Sequence, residues 1–166
     1  METERLLLRD CQESDALDLY EMCLDQSLQK SGITVFESVE ESLHAAKYWM
    51  NDPGFKIITT KSDGRFVGFI SLADMNRYDA YMELEYAIAA KYRNRGYATE
   101  VVKRMTAYGF TDLHLSAIAA WVRSHNEGSV RVLEKCSFVF EGRLRKHARD
   151  KSDTLCYSML REEWKM

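Results

Sequence analysis

Residues 83–99 read Glu-Leu-Glu-Tyr-Ala-Ile-Ala-Ala-Lys-Tyr-Arg-Asn-Arg-Gly-Tyr-Ala-Thr: a strand-like run, a short basic turn, and the opening of a helix. Ala98, Val101, Val102, Met105 and Tyr108 then share one helical face, and Ala117 to Val122 reads as a second strand. A strand, a helix and a strand of these lengths close as a right-handed crossover, so the two strands are parallel neighbours or nearly so. The turn itself, Arg93-x-x-Gly96-x-Ala98, aims free main-chain N–H groups at one spot and adds the positive end of a helix dipole. Gly96 lets a bulky anion touch the backbone. The pattern reads as a pyrophosphate seat. It contains neither Gly-x-Gly-x-x-Gly nor Gly-x-x-x-x-Gly-Lys-Ser/Thr, so the anion belongs to some other phosphate-bearing cofactor.

The remaining chain supplies the rest of a mixed sheet. Thr3 to Arg9 reads as a strand, and Ser14 as the cap of a helix with Leu17, Tyr20 and Leu24 on one side. Ser38-Val39-Glu40-Glu41 is a capping box followed by Leu43, Ala46, Trp49 and Met50 at helical spacing, and Asn51-Asp52-Pro53-Gly54 stops that helix. Phe55 to Thr60 and Arg65 to Ala73 flank Asp63-Gly64, residues suited to the positive φ angles of a tight hairpin. Tyr81 to Ala89 completes a meander. Asn126 opens a last helix with Val130 and Leu133 inward, and Phe138 to His147 and Thr154 to Leu160 are the final strands. The expected class is α/β, with helices on both faces of the sheet.

At 166 residues the chain is expected to form one domain, with a single proline and no linker or repeat. A formal net charge of -3 argues against nucleic-acid binding by phosphate neutralisation. The apolar stretches are too short to span a membrane, and the acidic start Met1-Glu2-Thr3-Glu4-Arg5 is unlike a signal peptide, so a cytoplasmic protein is expected. Cys11, Cys23, Cys136 and Cys156 lie far apart without metal-ligand spacing and read as buried thiols. Trp49, Trp121 and Trp164 read as packing residues, and the four histidines as structural or surface ones.

Downstream of the turn, Asn126-Glu127-Gly128-Ser129 precedes Val130 to Phe138, and Glu141-Gly142-Arg143-Leu144 follows. In this order and separation the pieces resemble the GCN5-related N-acetyltransferases (GNAT), and within them the branch that includes the ribosomal-protein alanine N-acetyltransferases. Thr3-Glu4-Arg5-Leu6-Leu7-Leu8-Arg9 is similar to that branch's opening strand, Val67-Gly68-Phe69-Ile70 to its third strand, and Glu162-Glu163-Trp164 to its ending. The resemblance implies a single N-acetyltransferase domain over residues 1–166, with a mostly antiparallel sheet of six or seven strands and a splayed parallel pair. It implies acetyl-CoA as co-substrate and no metal. The pyrophosphate would lie on Arg93, Asn94, Arg95, Gly96, Tyr97, Ala98 and Thr99, and the pantetheine arm along Tyr86, Ala87 and Ile88. Asn126 would hydrogen-bond the pantetheine, although a plain helix cap explains it equally well. An extended amide-bearing arm is well served by unpaired strand N–H and C=O groups.

Acetylation needs a neutral amine. At pH 7 a lysine of pKa near 10.4 is about 4.6 kcal/mol from that state, and an α-amine near 7.8 only about 1 kcal/mol. Glu83 and Glu85 alternate onto one face of their strand, and Glu83 matches the family's acidic position, making it the first choice of base, with Glu85 beside it. Two carboxylates on one face repel each other and raise the affinity of one of them for a proton. Many relatives place a tyrosine near the departing thiolate where this chain has Leu133; the resemblance implies that role for Ser129, which matches the serine of the favoured branch, although a first-turn serine solvating helix N–H groups explains it equally well. No His or Asp marks Ser129 as a covalent nucleophile, so direct attack by the amine is expected. Ser137 stands where relatives carry glycine, and strain is expected there. The acceptor implied is a protein N-terminal α-amine. A small-molecule amine (polyamine, aminoglycoside or amino-acid derivative) is the alternative, favoured by Glu83, Glu85, Asp74 and Asp79, and a non-catalytic acyl-CoA-binding module is a further one. The expected partners exclude nucleic acid and membrane, the expected assembly is a monomer or homodimer, and residues 25–38 are expected to cover the acceptor cleft.

Overall fold

Short β-branched and aromatic runs bounded by turn residues become strands, and amphipathic runs become helices, in a computed structural model that describes residues 1–74 and 80–165. The order is β1 (Leu6–Arg9), α1 (Ala16–Cys23), α2 (Gln26–Lys30), α3 (Val39–Trp49), β2 (Phe55–Thr60), β3 (Phe66–Asp74) and β4 (Tyr81–Ile88). Then follow α4 (Tyr97–Thr111), β5 (Ala117–Arg123), α5 (Glu127–Lys135), β6 (Val139–Leu144) and β7 (Thr154–Leu160). Among the described residues seven strands hydrogen-bond in the order β1-β2-β3-β4-β5-β7-β6. The pairs β1–β2, β2–β3, β5–β7 and β6–β7 are antiparallel, whereas β4–β5 is parallel, as the crossover requires. The expected mixed, mostly antiparallel sheet is therefore present. Asp79 lies outside the described residues.

Contacts divide the chain into two compact units, Met1–Ser71 with Tyr86–Val101, and Leu72–Glu85 with Val102–Met166. In the first, Leu19, Met22, Cys23, Phe36, Ala46, Phe55, Ile57 and Phe69 form one apolar cluster. Trp49 stacks on Phe55 at 4.3 Å between ring centroids, and Phe55 on Phe69 at 5.3 Å. Gly68 is required there: a Cβ on it would stand 2.0 Å from the Ala87 carbonyl oxygen. In the second unit α4 lies close against β5, since a Cβ on Gly109 would meet the Ile118 side chain at 2.9 Å. Phe110, Leu115, Ile118 and Leu133 are fully enclosed.

Three local expectations need correction. Ser14 does not cap α1: Gln12 and Asp15 form a capping box on a 3-10 turn at Glu13–Asp15, and the helix starts after it. Its buried side is Ala16, Leu19, Met22 and Cys23, with Leu17 and Leu24 more than half exposed. The cause is the bidentate pairing of Arg9 with the buried Asp15, at 2.7 and 2.5 Å, which fixes where the helix begins and hence its rotation. In the β2–β3 turn only Gly64 takes a positive φ, because the connection holds a wider loop closed by Gly64 N–H to Thr60 O. Finally, β6 ends at Leu144, well short of His147.

Candidate active site

The basic turn is shaped by two residues in the left-handed region, Asn94 (φ 59°) and Gly96 (φ 80°), before α4 begins at Tyr97. Alternation of this kind turns successive N–H groups toward one concavity. Among the described residues the N–H groups of Asn94, Arg95 and Gly96 have no hydrogen-bond acceptor, and those of Tyr97 and Ala98 open a helix, where no intrahelical carbonyl is in reach. Thr99 follows in the same turn. Main-chain donors left without acceptors in so short a turn, with the helix dipole behind them, suit a phosphate group, so the residues present fit the expected co-substrate.

The nearby cations divide by what they already do. The Arg93 guanidinium donates to the Ile88 carbonyl at 2.9 Å, to Ser27 Oγ at 2.7 Å and to Asp25 Oδ2 at 2.7 Å. Asp25 in turn caps α2 through the Ser27 N–H; the Ser27 hydroxyl above all, with that N–H and Arg93, holds its carboxyl below the usual range. Arg93 thus fastens the start of the expected acceptor-side segment to the turn. Arg95 and Lys91 lie over the Tyr92 ring, at 5.5 and 5.3 Å, and neither forms an ion pair among the described residues. Sequence reasoning missed Arg5 and Glu100. Arg5 Nη1 donates to the Arg95 carbonyl at 2.9 Å and Nε to Glu100 Oε2 at 2.8 Å. The signal available was Glu100 in the first turn of a helix, where a carboxylate complements the dipole.

Strand β4 carries the amide edge and the carboxylates in succession. Its parallel pairing with β5 runs from Tyr81↔Ala117 to Glu83↔Ala119 and ends there. Tyr86, Ala87 and Ile88 follow along the strand. The Ile88 carbonyl accepts from Arg93, and the Ala89 N–H donates to Val67.

Within the second unit Glu83 is half-buried. Desolvation, reinforced by the charge of Glu85, pushes its carboxyl up to about 7. Desolvation also raises Glu85. The Glu85 residue keeps much of its surface in water, and Glu83, the less exposed of the two, is the group tuned to neutrality. A carboxyl that titrates near pH 7 is matched to accepting a proton from an amine.

Asn126 caps α5, its Oδ1 accepting the Ser129 N–H at 3.1 Å, so these two residues are brought together at the helix start. Leu133 is fully enclosed and acts as core, which leaves no hydroxyl at that position. Ser137 takes φ 64° just past the helix, with Phe138 N–H bonded to the Leu133 carbonyl at 3.0 Å, so the expected strain is real. Burial lifts Cys11, Cys23 and Cys136 to about 11, keeping them protonated and inert. Among the described residues no cluster of His, Cys, Asp or Glu could hold a metal, and no helix is long and apolar enough to cross a membrane.

Residues 5–139 match the family model described as an acetyltransferase (GNAT) domain. The uncharacterized N-acetyltransferase YoaA of Bacillus subtilis (strain 168) is 30% identical, over 97% of this chain and 96% of that protein. A crystal structure of an acetyltransferase (GNAT family) from Bacillus anthracis is 27% identical with a TM-score of 0.89, over 98% of this chain and 99% of that one. The spermidine N-acetyltransferase from Vibrio cholerae, in complex with CoA and spermine, shares the fold at 21% identity with a TM-score of 0.84, over 95% of this chain and 96% of that one.

Proposed function

The chain belongs to the GNAT acetyltransferases, and from that premise we propose that it moves the acetyl group of acetyl-CoA directly to a primary amine, the α-amine of a protein N-terminus. The activity resides in one domain, residues 1–166. The observation that carries the reading is Glu83, a half-buried carboxyl raised to about 7. A base of that pKa lies within about one pH unit of an α-amine and more than three from a lysine-type amine, so proton transfer from the α-amine costs about 1 kcal/mol rather than about 4.6.

Bound acetyl-CoA supplies an activated thioester. Main-chain donors from Arg93 to Thr99 hold its phosphates, and the main chain of Tyr86, Ala87 and Ile88 pairs with its amide-bearing arm. Glu83 takes the proton that the amine nitrogen loses. Glu85 keeps that proton affinity high through its charge. Asn126 orients the arm, and the Ser129 hydroxyl donates a hydrogen bond to the departing sulfur, which leaves as a thiolate while the amine's proton stays on Glu83. Four free cysteines support a cytoplasmic location.

A second reading has its own support. Glu83 and Glu85 are two adjacent carboxyls held above their ordinary range, and a polycation would relieve both. The fold neighbour from Vibrio cholerae was solved with spermine, which makes a polyamine the small-molecule acceptor to test. The deciding experiment measures free CoA released with N-terminal peptides, spermidine and aminoglycosides side by side. Peptides are expected to turn over best; turnover confined to polyamines overturns the α-amine assignment. Glu83→Gln is expected to lower kcat by about a hundredfold on the preferred acceptor.

A further inference from the structure

Arg5 stands immediately before β1, far in sequence from the basic turn, yet its guanidinium is built into that turn. Nη1 donates to the Arg95 carbonyl at 2.9 Å, and Nε and Nη2 reach Glu100 Oε2 at 2.8 and 2.7 Å. The Arg5 main-chain N–H donates to Glu100 Oε1 at 2.9 Å, and Thr3 Oγ1 donates to the same oxygen at 2.5 Å. The guanidinium carbon lies 4.6 Å from the centre of the Tyr97 ring. A Cβ on Gly96 would stand 3.3 Å from Arg5 Nη2, so the glycine also makes room for the arginine.

A planar trans peptide points its C=O and the following N–H in opposite directions. With the Arg95 carbonyl held by Arg5, the Gly96 N–H is turned to the other side of the peptide plane. We propose that Arg5, locked by Glu100 and Tyr97, is the positioning residue of the phosphate seat and acts on the phosphates through the Arg95–Gly96 peptide. Its own charge is neutralised. Burial pushes the Glu100 carboxyl up, but the hydrogen bonds from Thr3 and Arg5 outweigh this and leave it ionised below the usual range. A neutral brace orients donors without filling the seat with a competing ion, and the planar fork of arginine lets one side chain serve a carbonyl and a carboxylate together. The inference rests on the basic turn being the seat for coenzyme phosphates.

The test compares the affinities of CoA and of pantetheine, which lacks the phosphates, for the wild type, Arg5→Gln and Arg5→Lys. The wild type is expected to prefer CoA. Both variants are expected to lose about tenfold in CoA affinity with pantetheine unchanged, and to raise the KM for acetyl-CoA equally while kcat at saturation holds. Lysine keeps the charge and cannot bridge both partners, so full CoA preference in Arg5→Lys overturns the proposal. So does an unaltered preference in Arg5→Gln, or an equal loss for both ligands. Should Arg5→Gln not fold, Glu100→Gln is read by the same ratio, with the same expected loss and the same overturning result. A wild type that binds pantetheine as tightly as CoA refutes the seat itself, an outcome distinct from failure of the positioning role.

Discussion

Replacing Glu83 by Gln should stabilise the fold while disabling it, and the gain should depend on pH. Glu83 rises from 4.5 to about 7 on folding; at about 1.36 kcal/mol for each pH unit, the full cost of ionising it in the folded protein is about 3.4 kcal/mol. Part of the residue remains in water, so about half of that is the figure to expect after screening. The sign follows from which state binds the proton more tightly. Below pH 4.5 the carboxyl is neutral in both states and nothing is lost; as pH climbs toward 7 the unfolded chain ionises first and folding becomes less favourable, and above 7 the full cost is present. Gln carries no such cost, so Glu83→Gln should raise the melting temperature by about 3–6 °C at pH 8, with the gain shrinking as pH falls below 7 and vanishing near 4.5. Thermal melts of both proteins from pH 5 to 8.5 measure this directly. A constant difference across that range, or a less stable variant at pH 8, would show that Glu83 is not desolvated in the fold, and the argument for it as a tuned base would fail with it.

Other consequences can be checked independently. The kcat/KM should rise with pH through a midpoint near 7, and Glu85→Gln should move that midpoint down by removing a neighbouring negative charge; a flat profile or an upward move contradicts the assignment. Ser137→Gly should stabilise by about 0.5–1 kcal/mol, a rise of about 2–3 °C, because a side chain is lifted out of the left-handed region at φ 64°; a fall in melting temperature rules this out. Gly68→Ala should destabilise by about 3 kcal/mol or more, since its Cβ would stand 2.0 Å from a backbone carbonyl that cannot swing away. A soluble variant with an unchanged melt would mean that the close approach at Ala87 is absent.

The elements were legible where sequence periodicity and turn chemistry agreed. Phe55 to Thr60 and Thr154 to Leu160 are strands to the residue, and α4 begins where the Gly96 turn directs it. Reading failed where a distant side chain decided the outcome. Leu17, Tyr20 and Leu24 have helical spacing, but Arg9 grips Asp15, the helix starts one residue later, and Leu19 and Met22 go inward instead. Ser38 accepts the Glu41 N–H as a capping box predicts, whereas the Glu41 carboxylate returns to the Glu37 N–H, one residue further out. Spacing reports which residues can share a face. It does not report which face wins when an ion pair fixes the phase.

The same distinction governs the candidate site. Gly96 announced a close approach to the backbone, and the structure adds that Asn94 and Gly96 both take positive φ, which sets where the N–H groups point. The arginines announced only charge. Arg93, inside the motif, is committed to Asp25 and Ser27 more than sixty positions away, and Arg5, outside it, is committed to the Arg95 carbonyl ninety positions away. Neither guanidinium is spare, so the electrostatic attraction left for a phosphate comes from Lys91, Arg95 and the helix dipole, while the geometry comes from the committed pair. It follows that added salt should weaken coenzyme binding through the uncommitted cations, whereas Arg5→Lys, which keeps the charge opposite Glu100, should weaken it equally at low and high ionic strength, since a misaimed N–H is not restored by removing the screening.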